Sequence, residues 1–322
     1  MYHGKVDLHL HLDGSLSEDV VARLLQREGI TMSREELQHN LRVEPECTSL
    51  VEYLQKFEVP GQVLQTEYGL ELATYELLQR LAGQGLIYTE IRFAPQLHTR
   101  KGLTQQEVLK SVLRGAAQAQ RDYPTIRAGI LLCAMIGGSE NRATFDLAKD
   151  FYGNGVVGVD LAGAEGSRPM DDYAPLFHDM ATCNIPYTIH AGECGSWENV
   201  KRAIELGARR VGHGCGAIKN EECMDMLRRN HITVEACVVS NLQTKAVPSL
   251  QSHPIKPFFD RGIAVTVNTD NMTCSNTTLR HEHETIASAF DFTDDDFRAM
   301  DANAIRGAFC PEAEKQALLE KL

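Results

Sequence analysis

Lys5-Val6-Asp7-Leu8-His9-Leu10-His11 reads as a buried β-strand, and it is the first of eight such segments. The others are residues 86–94, 128–135, 156–162, 186–190, 210–213, 232–238 and 263–269. Amphipathic helical stretches separate them, so a βα repeat runs through the chain. Apolar strands with helices between them imply a parallel sheet covered on its outer face, and eight units are the number at which such a sheet closes. The expected fold is therefore α/β, a (β/α)₈ TIM barrel.

Working outward from the strands, Leu103-Thr104-Gln105-Gln106-Glu107 has the form of a capping box. It precedes an apolar-periodic run ending near Arg121, which Asp122-Tyr123-Pro124 stops. About 70 residues lie between the first and second segments, far more than one helix needs. Extra helices inserted there, including residues 49–57 and 67–83, are expected to cover the barrel mouth. No repeat, low-complexity tract or Gly/Ser linker marks a boundary, so residues 1–322 read as a single domain.

Forty-four acidic against 32 basic residues give a formal charge of −12, which repels phosphate backbones and anionic membranes and disfavours both as partners. Nine scattered cysteines without a C-x-x-C pair, and no apolar signal segment, read as free thiols in a reducing cytoplasm. No apolar run approaches the ~20 residues that span a bilayer.

Chemistry gathers at the ends of the strand segments. His9 and His11 lie two apart on the first strand, so both imidazoles point to one face and can meet one ion. The fifth segment ends Thr188-Ile189-His190-Ala191-Gly192-Glu193, a third imidazole followed by a carboxylate free to move protons. The sixth ends Gly212-His213-Gly214, and the eighth Val267-Asn268-Thr269-Asp270-Asn271. Each fragment alone also fits a solvated histidine, a helix-start charge or a turn; four at the one rim where such barrels keep their active sites do not arise by coincidence. Three imidazoles and a carboxylate favour zinc over calcium, with iron, cobalt or manganese as possible substitutes. A structural zinc site would close its coordination and have no use for Glu193 and His213 beside it, so the pair points to hydrolysis.

Asp7-Leu8-His9-Leu10-His11-Leu12-Asp13-Gly14-Ser15, His190-Ala191-Gly192-Glu193, Gly212-His213-Gly214 and Asn268-Thr269-Asp270 together resemble, in order, the adenosine deaminase family of metal-dependent amidohydrolases. The likeness spans almost the whole chain, taking in Asp160-Leu161-Ala162-Gly163 and Ser240-Asn241-Leu242-Gln243-Thr244. It implies zinc-dependent hydrolysis of adenosine and 2′-deoxyadenosine to the 6-oxo nucleosides plus ammonia, in purine salvage. By the same resemblance His9, His11, His190 and Asp270 hold one zinc, Glu193 shuttles protons and His213 orients water. His11 also borders the substrate, Asp13 takes a ribose hydroxyl, and Gly163 offers its backbone to purine N3. Leu54 and Phe57 fall where the family carries an apolar lid.

The family continues its aspartate motif with a second Asp and a Pro, whereas here Asn271 and Met272 follow Asp270. A carboxylate accepts from a protonated N7, whereas the Asn271 amide can donate to an unprotonated one. That difference keeps adenine, N6-methyl-AMP and 6-aminofutalosine open as substrates. A nucleoside-binding scaffold without activity is the reading outside catalysis. Lys245, in a loop, is left without a role.

Overall fold

The computed structural model describes residues 2, 4–44 and 47–322. Eight parallel strands form its centre: β1 (Val6–His11), β2 (Tyr88–Phe93), β3 (Arg127–Met135), β4 (Val156–Ala162), β5 (Thr188–Ala191), β6 (Arg210–His213), β7 (Thr233–Ala236) and β8 (Val265–Val267). They pair as β1-β2-β3-β4 and β5-β6-β7-β8, each strand with its neighbour in sequence. Two single bridges join these half-rings, Val159 with Tyr187 between β4 and β5, and Leu10 with Asp270 between β8 and β1. The α/β barrel expected from the sequence is the fold observed.

The strands lie in the expected segments but several are shorter. β5 starts at Thr188 rather than 186 because Pro186 has no N–H for the ladder. β7 ends at Ala236, since the chain turns into the helix Val238–Gln243. After β8 the backbone bends to place Asp270 at φ 58°.

Between β1 and β2 stand the helices Glu18–Arg27, Arg34–Leu41, Leu50–Leu54, Glu58–Val63 and Glu67–Gly83, with a 3₁₀ turn at Gln55–Phe57. Ser17, Ser33, Ser49 and Thr66 start four of them by accepting a backbone N–H, as N-cap hydroxyls do. The helix Gln105–Asp122 begins on the Thr104/Glu107 capping box.

The barrel has two unlike faces. Val6 and Leu8 of β1 pack outward against Ala304, Ile305 and Ala308, at the end of the helix Asp294–Gly307 and just beyond it. Asp7 and His9, alternating with them, point inward and are fully buried. Glu90 and Arg92 of β2, Asp160 of β4, Arg210 of β6 and Glu235 of β7 are also without solvent exposure. The strands are thus not uniformly apolar: the interior is filled by a charged network where branched aliphatic layers are the usual filling.

Candidate active site

His9 and His11 end β1, His190 lies on β5, His213 closes β6 and Asp270 follows β8, so all five stand at the C-terminal rim. Backbone bonds of 2.7 Å run from His11 N to Asp270 O and from Asp270 N to His9 O, fixing the aspartate between the two histidines. His213 and Asp270 hold φ of 63° and 58°, a region that non-glycine residues rarely occupy and that clusters at functional sites. Gly212 must be glycine for a different reason: a Cβ there would stand 2.9 Å from His9 Cε1.

The ring atoms converge. His11 Nε2 is 3.2 Å from His190 Nε2 and 3.4 Å from Asp270 Oδ1, while His9 Nε2 is 3.5 Å from that same oxygen. Ligand atoms of His9, His190, His213 and Asp270 lie within 4.8 Å of one another.

Hydrogen-bond partners divide the imidazoles of this cluster into two kinds. His9 Nδ1 lies 2.7 Å from Glu235 and His190 Nδ1 3.0 Å from Asp160, carboxylates that can only accept. Each Nδ1 therefore carries the proton and each Nε2 turns a lone pair inward, the arrangement usual behind metal-bound histidines. In His213 the order is reversed. Asn241 Oδ1 faces the donors His253 Nε2 at 3.1 Å and Cys215 Sγ at 3.3 Å, so its Nδ2 is the atom 2.9 Å from His213 Nδ1. His213 thus accepts at Nδ1 and presents an Nε2–H as a donor toward the site.

A cation fits this set. His9 Nε2 is buried without a hydrogen-bond partner, and the inward lone pair of His190 faces His11 Nε2 at 3.2 Å. Burial holds His11 and His213 well below the usual imidazole range, which keeps both neutral. Burial and Arg92 also disfavour a charge on His9, but the Asp270 and Glu235 carboxylates outweigh them and raise its pKa.

Beneath the cluster, Arg92 reaches across the barrel. Its guanidinium donates to Asp160 at 2.8 Å, Glu235 at 2.9 Å and Leu8 O at 2.6 Å. Arg210 donates to Glu235 at 2.5 Å and Glu90 at 2.6 Å. Burial works against ionised carboxylates here, yet the neighbouring cations hold Asp160 and Glu235 well below their ordinary range. Both stay negative and keep the proton of His9 and His190 on Nδ1, with Nε2 turned inward.

Glu193 sits on the turn after β5, 5% exposed, with Oε2 3.7 Å from His213 Nε2. Glu165 clamps that turn from both sides, accepting from Gly192 N at 2.7 Å and Cys194 N at 2.8 Å. Burial, reinforced by Asp270, pushes the Glu193 carboxyl up to about 8.

His11, Asp13, Gly163, His190, Glu193, His213, Asp270 and Asn271 line one cavity of about 320 Å³, while His9 lies beneath it. Leu54, Phe57, Phe93 and Ile136 add apolar walls suited to a flat ring. Burial raises the Asp13 carboxyl to about 6. Asn271 Oδ1 is buried without a partner, and Gly163 holds φ 113° at the wall. Lys245 is not among the lining residues. Arg92, Glu235 and Glu165 are not among the residues that the sequence singles out, and Asp160 and Asn241 stand in it only as parts of fragments without a role. A charged residue inside a segment read as a buried strand, such as Arg92 in Tyr88-Thr89-Glu90-Ile91-Arg92-Phe93, was the available signal.

The profile of the family described as adenosine deaminase matches residues 4–322. An adenosine deaminase of Haemophilus ducreyi is 38% identical over 98% of this chain and 95% of its own length. Among solved structures, an adenine deaminase from Arthrobacter aurescens superposes with a TM-score of 0.89 at 25% identity, over 99% of this chain and 98% of that one. An amidohydrolase from Burkhoderia ambifaria with bound Zn gives a TM-score of 0.88 at 24% identity, over 98% and 88%.

Proposed function

Because this chain belongs to the adenosine deaminase family, we propose that it hydrolyses adenosine and 2′-deoxyadenosine to inosine and 2′-deoxyinosine plus ammonia, serving purine salvage. It is a hydrolase of carbon–nitrogen bonds in cyclic amidines. The supporting observation is the meeting of inward-facing Nε2 atoms, the Asp270 carboxylate and Glu193 on one apolar-walled cavity.

His9, His11 and His190 through Nε2, and Asp270 through Oδ1, would hold one zinc ion, the N/O set that zinc takes in catalytic sites. Bound there, zinc would lower the pKa of water toward ~7 and make it a nucleophile at neutral pH. His213 points its Nε2–H at the attacking oxygen and orients it toward C6 of the purine. Glu193, protonated at neutral pH, delivers its proton to N1 as C6 is attacked and then, as a carboxylate, relays the proton of the oxygen added at C6 to the amino group, which leaves as ammonia. The Asn271 amide donates to N7, Asp13 takes a ribose hydroxyl, the Gly163 backbone meets N3, and His11 borders the base. Leu54 and Phe57 close over the ring.

We read residues 1–322 as one catalytic domain acting in the cytoplasm, on small purine nucleosides rather than nucleic acid or membranes. None of the nine cysteines is disulfide-bonded, and no helix among the described residues is long and apolar enough to cross a membrane.

Purified zinc-replete protein is expected to convert adenosine to the 6-oxo nucleoside, with the ultraviolet change matched by ammonia release and abolished by a chelator. Turnover of adenine but not adenosine would reject the nucleoside assignment; inactivity on both with zinc bound would reject adenosine and adenine alike and leave the modified or phosphorylated aminopurines. His190→Ala is expected to lose bound zinc and stability together, because Asp160 is left buried without its imidazole partner. Metal content of the purified variant checks this, and a full zinc complement would remove His190 from the ligand set.

A further inference from the structure

A groove of about 920 Å³ opens at the end of the barrel opposite the catalytic rim. Pro186, Arg209, Ile232 and Ala264 line it; Pro186 lies two residues before β5, and the other three immediately before β6, β7 and β8. Its far wall is the segment from Arg306 to Cys310, with Lys315 beyond.

The charge in this groove is one-sided. Arg209, Arg306, Lys315 and His231 line it, with no aspartate or glutamate among the lining residues, in a chain of net charge −12. Three other surface depressions mix the signs: one sets Glu18 and Asp19 beside Arg34 and Arg42, another Asp171 and Glu205 beside Lys201 and Arg202, and a third Asp172 beside Arg168. Arg209 and Arg306 are exposed and make no ion pair among the described residues, unlike Arg114, Arg142, Arg202 or Arg261. Lys315 Nζ donates to Arg306 O at 3.0 Å, which holds a second cation beside that arginine, and lies 4.0 Å from Glu312, outside the groove.

Arg209 and Arg306, lining one recess without an ion-pair partner among the described residues, repel each other, and the concave wall strengthens their combined field. An anion entering relieves that repulsion, and a phosphate group offers several strong acceptors to guanidinium and ammonium donors at once. The groove is far larger than one phosphate needs. Tyr152 and Phe309, with the Arg210 guanidinium stacked 3.6 Å from the Phe309 ring, add flat surface for an organic portion.

We propose that this groove binds a small phosphate-bearing metabolite at a site separate from the catalytic cavity. The proposal does not depend on which purine the other end accepts. Inorganic phosphate, ribose 5-phosphate and fructose 1,6-bisphosphate are the probes, titrated calorimetrically into holoenzyme and into an Arg209→Gln/Arg306→Gln variant. Saturable binding of at least one probe with Kd below about 1 mM is expected, weakening as salt is raised. The double variant, altered only at exposed positions, should bind at least about tenfold more weakly and deaminate at the unaltered rate. Equal affinity for inorganic phosphate and the sugar phosphates would identify a seat for the anion alone; tighter sugar-phosphate binding would show that the organic portion is also held, and either supports the site. Absence of saturable binding for all three probes, or equal affinity in the variant, overturns it.

Discussion

Replacing Glu193 by Gln is expected to reduce kcat by at least about 10²-fold while the protein keeps its zinc, because the substitution removes proton transfer and little else. The amide has the shape of the carboxyl it replaces. The Glu165 clamp on Gly192 N and Cys194 N acts through the backbone and is untouched by the change. Glu193 stands beside the converging ring nitrogens rather than among them, with Oε2 3.7 Å from His213 Nε2. Metal affinity and folding should therefore be unchanged. Measuring kcat alongside the zinc-to-protein ratio separates proton transfer from metal loss. Turnover near the starting value would remove Glu193 from the proton pathway.

Arg92→Met carries the second large effect, and it reaches the site through groups that never touch substrate. The guanidinium neutralises Asp160 and Glu235 together at the bottom of the cluster, with both carboxylates fully buried. Removing one partner of such an arrangement leaves uncompensated buried charge, at a cost of about 3–5 kcal/mol. One carboxylate is then driven to take up a proton, stops being a pure acceptor, and weakens its hold on His190 Nδ1 or His9 Nδ1. Loss of this kind of outer support lowers metal affinity by about 10–100-fold. Urea unfolding of the metal-free protein reads the first quantity, and competition with a chromophoric chelator the second. Arg92→Lys should recover part of the metal affinity through charge alone. Stability lost with metal affinity intact would mean that Arg92 serves only the fold.

The sequence displays its strands and its rim more openly than what supports them. Segment 5–11 announces both a strand and two converging imidazoles because alternation is a local property of seven consecutive residues. The same holds for His190, His213 and Asp270, which stand beside glycines or at a strand end. Glu235 gives a weaker sign: it is a charge inside the buried segment 232–238, and nothing within that segment says what it meets. Only barrel closure brings it against His9, 226 positions away, and against Arg92. Glu165 is hidden for the same reason, since its partners Gly192 and Cys194 lie on another turn. The tautomer of His213 depends on Asn241, which itself depends on His253 and Cys215, a chain of dependence that no single spacing encodes.

The ring closes through two bridges, and one of them joins Leu10 to Asp270. His9 and His11 belong to the first half-ring, His190 to the second, and Asp270 sits on the seam itself. Neither half alone contains the four proposed ligands, so a chain that has collapsed only one half during synthesis offers the ion an incomplete grip. A chain cut before Asp270 would lack both that carboxylate and the Leu10 bridge, so the groups that converge at the rim are complete only when the last seam is shut.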